Sequence, residues 1–236
     1  MKIIVLLLVL LFSVPAFAAY SGGGEGSMFA YEATLTTTIE AQGQYYAIQG
    51  FTVGSVVQGT TFKDGSNGVI TDTASNGALL RVTDVGHGLD TGDYVTLNGM
   101  GDALHVASTR VTSISADVFD CDNINWNSDN DTGFWQRGST LTVDTGFGGK
   151  YAVTWSVSCY SVGVNKNYKF EMVKNNTDLD EFASERKIAV ASDLGSLGAG
   201  GEVSLVAGDK VWLQMQSTDS NSDLTIRHGN VHISRK

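Results

Sequence analysis

The chain has 236 residues, 15 basic and 25 acidic, for a formal net charge of −10, with 42% hydrophobic and 17% charged residues. That much apolar content in one large domain or two small ones can bury a core, so global disorder is not expected. The acidic balance leaves no basic patch to track a phosphate backbone, which argues against nucleic acid as a partner, and the composition excludes histone-like, collagen-like, coiled-coil and multi-span membrane classes.

In chain order, Lys2, the apolar run over residues 3–12 and the Ala16-Phe17-Ala18 exit read as a secretory signal peptide over residues 1–18. The run is about half of what a membrane span needs. An exported, extracellular product is therefore expected. Ser21-Gly22-Gly23-Gly24-Glu25-Gly26-Ser27 has the composition of a flexible linker, and the Thr-rich segment after it leans weakly toward strand, so residues 19–41 are read as a Gly-rich linker and N-terminal segment.

Residues 67–139 form a block with short β signals at Leu80/Val82, Val95/Leu97, Val111 and Val118/Phe119. Its tightest feature is His87-Gly88-Leu89-Asp90-Thr91-Gly92-Asp93, a turn that leads into Tyr94-Val95-Thr96-Leu97. Gly208-Asp209 leads into Val211-Trp212-Leu213 in a related way. Glycine supplies turn conformations that other residues resist, and aspartate bonds neighbouring backbone.

Beyond residue 139 the dominant signal is period two. Tyr151, Val153, Trp155, Val157 and Cys159 alternate with Ala152, Thr154, Ser156 and Ser158, and similar alternation runs through Tyr168/Phe170/Met172, Val211/Leu213/Met215, Leu224/Ile226 and Val231/Ile233. Such segments are half-buried strands of antiparallel sheets. Turn-rich stretches are read at residues 175–178, 195–201 and 217–222. Many short strands separated by Gly/Asn/Asp turns predict an all-β fold, an antiparallel jelly-roll sandwich with an inserted small β domain.

The chemistry-bearing residues are few. There is no G-x-S-x-G elbow, Walker A or H-E-x-x-H string, so no catalytic residue, metal site or cofactor is assigned, and the chain is expected not to be an enzyme. His87 is expected to fix its turn. His228 and His232 are about 13 Å apart along a strand, too far to share a metal, and read as a sheet-surface pair. Asp120-Cys121-Asp122-Asn123 and residues 127–133 are oxygen-rich, but a calcium loop starting at Asn127 would have its glycine one place late and Gly138 where a closing Glu belongs, so polar turns are expected. Asn130 and Asn175 stand in N-x-T strings, the glycosylation pattern. Cys121 and Cys159 would need Cα atoms within about 7 Å to pair; Cys159 lies on an apolar strand face, which favours a buried thiol. Trp212 alternates out of phase with Val211 and Leu213, so it faces away from their core. An outward aromatic on a strand is a candidate subunit contact, as is the small-residue face of Ala152, Thr154, Ser156 and Ser158.

Three stretches together carry a family resemblance. Residues 149–158 (GKYAVTWSVS) resemble the G-x-Y-x-V-x-x-x-V-S strand of complement C1q-like domains, residues 203–213 resemble their L-x-x-G-D-x-V-W-L strand, and residues 224–234 look like their final strand. Residues 42–66 and 140–236 would form that jelly roll. The H-G-L-x-x-G-D-x-V-x-L string of residues 67–139 resembles a small β module of phage tail and virion proteins, and Ser184-Glu185-Arg186-Lys187 and Thr225-Ile226-Arg227-His228 are similar to C1q-like proteins encoded by phages. The resemblance implies a homotrimeric surface protein, a virion or fibre-tip structural or adhesion component, with a cell-surface carbohydrate or protein as receptor. The signal peptide departs from the phage pattern, and the rival reading is a secreted C1q-like carbohydrate- or protein-binding module.

Overall fold

Tyr151, Val153, Trp155, Val157 and Cys159 all point into one core from a single long strand, β14 (Gly149–Ser161), while Lys150, Thr154 and Ser156 face solvent from its other side. The computed structural model describes residues 24–30, 35–37, 42–101, 108–127, 132–219 and 221–236. The signal-peptide segment and residues 128–131 of the Asn/Asp-rich run, with the Asn130 glycosylation string, lie outside the described residues.

Every described element is a strand, and every pairing is antiparallel. Two sheets face each other as a jelly roll. The first runs β17 (Gly195–Leu205), β14, β19 (Leu224–Arg235), β1 (Glu25–Ala30), β4 (Thr52–Gln58), with β2 (Leu35–Thr37) added to β19. The second runs β16 (Thr177–Ile188), β15 (Lys166–Lys174), β18 (Lys210–Ser217), β13 (Thr140–Val143), β5 (Thr60–Lys63), with β3 (Tyr45–Ala47) added to β18. The chain changes sheet between β13 and β14, again between β14 and β15, and at each step from β16 to β19. Strands on either side of such a change lie in opposite layers and turn their apolar faces toward the shared core. Trp155 stacks on Phe170 across the gap, with centroids 6.0 Å apart, and its indole N–H donates to the Phe182 carbonyl at 2.8 Å. Burying a ring the size of Phe170 contributes about 2–3 kcal/mol.

Two stretches read as turn or linker are strands. Residues 195–201 belong to β17, which pairs with β14 along its length, from Cys159↔Gly195 to Gly149↔Leu205. Their glycines serve packing: a Cβ on Gly201 would sit 2.1 Å from the Phe182 ring and one on Gly198 would sit 2.6 Å from the Trp155 carbonyl oxygen. Glu25, Gly26 and Ser27 belong to β1, in the middle of the first sheet between β19 and β4. Gly26 lies too close to Thr60 for any side chain. The jelly roll thus starts ahead of residue 42, and the linker reading of residues 25–27 is corrected.

A third sheet stands between β5 and β13 in the chain. Its order is β6 (Ser66–Ile70), β12 (Gly133–Arg137), β9 (Tyr94–Asn98), β10 (Ser108–Ser113), β11 (Val118–Asn125), β8 (Leu79–Thr83), β7 (Asp72–Asn76). The two end strands, β6 and β7, are consecutive in sequence and parted only by Thr71, so the sheet rolls nearly closed on itself. Ile70, Leu80, Val82, Val95, Leu97, Val111, Phe119, Cys121 and Trp135 fill its interior, a core distinct from that of the jelly roll. The strands of this module run from Ser66 to Arg137, against the sequence boundaries of 67 and 139.

Cys121 is in the module core and Cys159 in the jelly-roll core; both are free. Burial pushes both thiols up, Cys159 to about 12. They are packing residues, and no bond joins them.

Candidate functional site

The outward face of the first sheet has a simple residue pattern because in-register residues of antiparallel neighbours point to the same side. One row across it reads Thr52, Phe29, Asn230, Ser156, Gly198; the next reads Ser27, His232, Thr154, Gly200; a third reads Glu25, Ser234, Ala152, Glu202. Ser158 pairs with His228 and Ser196 at the other end, and its hydroxyl lies 2.7 Å from that of Ser196. The two central rows hold no carboxylate. Glycine, serine and threonine leave the backbone of β14 and β17 open to close approach by another surface. Phe29 is 41% exposed in the first of these rows. The sequence reading missed it, although Gly26, Met28 and Ala30 turned inward leave Phe29 outward; the signal was there and was masked by assigning the neighbouring residues to a linker.

Trp212 is a correction. It does face away from the jelly-roll core, but it is only 3% exposed, so it offers no surface to another subunit. Tyr94 of the inserted module stacks on it, with Ala47 and Val173 completing a small apolar cluster. The sequence pattern fixes which way a strand residue points and says nothing of what else the same chain lays over it.

Beside this stack is a charged joint. Asp93 is buried, and its Oδ2 accepts from Lys63 Nζ at 2.7 Å and from an Arg137 guanidinium nitrogen at 2.9 Å, while its Oδ1 accepts from Lys210 Nζ at 3.0 Å. Lys63 and Lys210 belong to the jelly roll; Arg137 and Asp93 belong to the module. Burial alone would raise the Asp93 carboxyl, but the bonds from Lys63, the Asp90 amide and Lys210 outweigh it and hold it at about 2. Lys63 also reaches Asp90 at 2.6 Å.

The two Gly-Asp turns are built alike. Asp93 N–H donates to the Asp90 carbonyl at 3.0 Å and Asp90 N–H donates back to Asp93 Oδ2 at 3.0 Å. Asp209 N–H donates to the Val206 carbonyl at 3.0 Å and Val206 N–H donates back to Asp209 Oδ2 at 2.8 Å. Gly92 (φ 93°) and Gly208 (φ 89°) take the left-handed φ that a type II turn needs at its third residue. The carboxylate of the first turn then reaches the jelly roll, whereas that of the second meets Lys174 and Asn175 of its own sheet.

His87, Asp120, Asp122 and Asn175, singled out in the sequence, are taken up by hydrogen bonds within the fold. His87 Nδ1 accepts from Leu89 N–H at 2.9 Å, which leaves Nε2 to donate to the Ser115 carbonyl at 2.9 Å; the ring fixes its turn, as expected. Asp120 is held by Arg81 and Asn76, and Asp122 by Arg110 and Thr112. Asn175 spends its amide on Asp209 and the Lys210 N–H. His228 and His232 lie on the outward face described above.

No family model matches the chain, and no curated protein sequence matches it. Among solved structures the chain is similar to the insecticidal δ-endotoxin Cry8Ea1 of Bacillus thuringiensis, at 8% identity and a TM-score of 0.26, covering 89% of this chain and 52% of the toxin. It is similar to the mosquito-larvicidal Cry4Aa toxin of the same organism at 8% identity and a TM-score of 0.27, with the same coverage, so the chain spans about half the length of these toxins. A third neighbour is VP2 of the infectious bursal disease virus subviral particle, at 7% identity and a TM-score of 0.25, covering 90% of this chain and 68% of VP2. Likeness at this level carries no functional weight.

Proposed function

We propose that this chain is a non-enzymatic structural protein of an exported or virion surface, assembled as a homotrimer through the outward face of its first sheet and used for adhesion. The observation that carries the reading is the row Phe29, Asn230, Ser156, Gly198. It offers an exposed aromatic at one end, side chains small enough for close contact at the other, and no charge between. A chain of net charge −10 repels its own copies, and an uncharged patch is where that repulsion is least. A lone exposed phenylalanine is ordinary on a monomer; set in an uncharged strip it is the kind of anchor around which interfaces form. The threefold number comes from the C1q-like resemblance of residues 149–158 and 203–213, as does the structural or adhesive role.

Light scattering on the full-length protein and on Ser156→Arg tests this. The wild type is expected at three times the chain mass at micromolar concentration. The variant places a long cation in the strip and is expected at the monomer mass with unchanged far-ultraviolet circular dichroism. A monomeric wild type overturns the reading.

A further inference from the structure

We infer that the cleft between the inserted module and the jelly roll is a binding site for a neutral saccharide. The cleft has a volume of about 390 Å3, within the range of small-molecule sites. The module lines it with Asn98 and Ser108, and the jelly roll with Tyr45, Asp178 and Gln214. It shares no residue with the assembly face, so a monomer holds the whole site. The inference supplies the receptor chemistry of the adhesive reading above and rests on that reading only for its biological use.

Unmet hydrogen bonds mark this cleft. Asn98 is fully buried, yet neither its Oδ1 nor its Nδ2 has a partner among the described residues. Ser108 Oγ is buried and has no partner among the described residues either. Gln214 is 1% exposed; its Nε2 donates to Glu171 Oε1 at 2.9 Å and to Asp178 Oδ1 at 3.0 Å, which fixes the amide and turns Oε1 into a buried acceptor with nothing to accept. A buried polar group without a partner costs about 1–3 kcal/mol, and native structures hold few. Here three residues that line one cleft, from both units, carry such groups.

The chemistry of those groups selects the ligand class. The set contains acceptors (Asn98 Oδ1, Gln214 Oε1), a donor (Asn98 Nδ2) and a hydroxyl that serves as either. A bare cation would be drawn to Asp178 and the amide oxygens but would leave the Asn98 Nδ2 donor unmet, since a metal ion accepts no hydrogen bond. An anion would face Asp178, with Glu171 behind it. A polyol hydroxyl both donates and accepts, so adjacent hydroxyls can pair with an amide at both its atoms. Tyr45 adds an aromatic wall against which the C–H side of a sugar ring can pack, and it is held in place by Lys169, whose ammonium lies 5.8 Å from the ring centre.

The test is saturation-transfer NMR and calorimetry on the full chain with four probes: glucose, galactose, mannose and N-acetylglucosamine. At least one is expected to bind. Asn98→Leu and Gln214→Leu are each expected to weaken that probe about ten-fold or more, the factor that goes with one lost hydrogen bond in a dry site. Each variant is checked by its melting temperature, and Ser108→Val replaces any that fails to fold. The monomeric Ser156→Arg variant is expected to bind as the wild type does, which separates failure of the site from failure of the assembly. The inference is overturned if none of the four probes binds, if binding is unchanged in the cleft variants, or if calcium or inorganic phosphate binds the cleft in their place.

Discussion

Tyr94 lies over the indole of Trp212 with ring centroids 5.4 Å apart and planes inclined by 27°. Tyr94 opens the strand after the first Gly-Asp turn, and Trp212 follows closely after the second. The inserted module is therefore docked on the jelly roll by the residues that lead out of two equivalent turns. Asp93 adds the charged half of the same joint, and the cleft lined by Asn98 and Gln214 lies along the same two strands, β9 and β18.

Trp212→Ala should cost about 3–5 kcal/mol of stability, the range for truncating a buried tryptophan. Because the indole serves the joint and not a subunit contact, the mass of the assembly should not change. Denaturant unfolding and light scattering on the same sample check both parts. An intact stability with a dissociated assembly would place Trp212 at a subunit interface after all.

Asp93→Asn should leave Lys63, Arg137 and Lys210 facing a neutral amide. Breaking a buried ion pair at one partner costs about 3–5 kcal/mol. The pH dependence follows from the same carboxylate. Its folded value, about 2, is below its ordinary 3.8, so its contribution is fully present above pH ~4 and is lost as the pH falls toward 2. The wild type should lose stability over that window more steeply than Asp93→Asn. Equal slopes in acid titrations of the two proteins would remove Asp93 from the joint.

Native protein should not react with iodoacetamide at pH 8, and both cysteines should be alkylated once it is unfolded. Burial keeps the Cys121 and Cys159 thiols protonated and out of reach. Mass spectrometry with and without denaturant reads this directly. The mass should also be the same before and after reduction, since each thiol sits in a different core.

Legibility in the sequence was uneven, and the reason is physical. Alternation of Tyr151, Val153, Trp155, Val157 and Cys159 with small polar residues is enough to set β14 and its faces, because a strand next to a core has only two sides. Glycine carries no such alternation, so Gly198, Gly200 and Gly201 look like a turn, although they are flat strand with the Phe182 ring laid over Gly201. The Gly24 to Ser27 region fails in the same way, and with it went Phe29. The direction of Trp212 could be read; its cover could not, since Tyr94 lies more than a hundred residues away in sequence. The cleft was invisible for a related reason: Asn98, Ser108 and Gln214 are ordinary surface-type residues until two separate units bring them together.

In the proposed assembly the strip around Ser156 is covered by a second copy of the chain. Both native thiols are buried, so Ser156→Cys supplies a reporter there, in a position exposed in the isolated chain. Its alkylation rate, followed by mass at micromolar protein, is the most direct test. Slow labelling is expected, rising to the rate of a free cysteine when Phe29→Asp is added to the same chain. Labelling at the free-cysteine rate without that second change would contradict the proposed assembly.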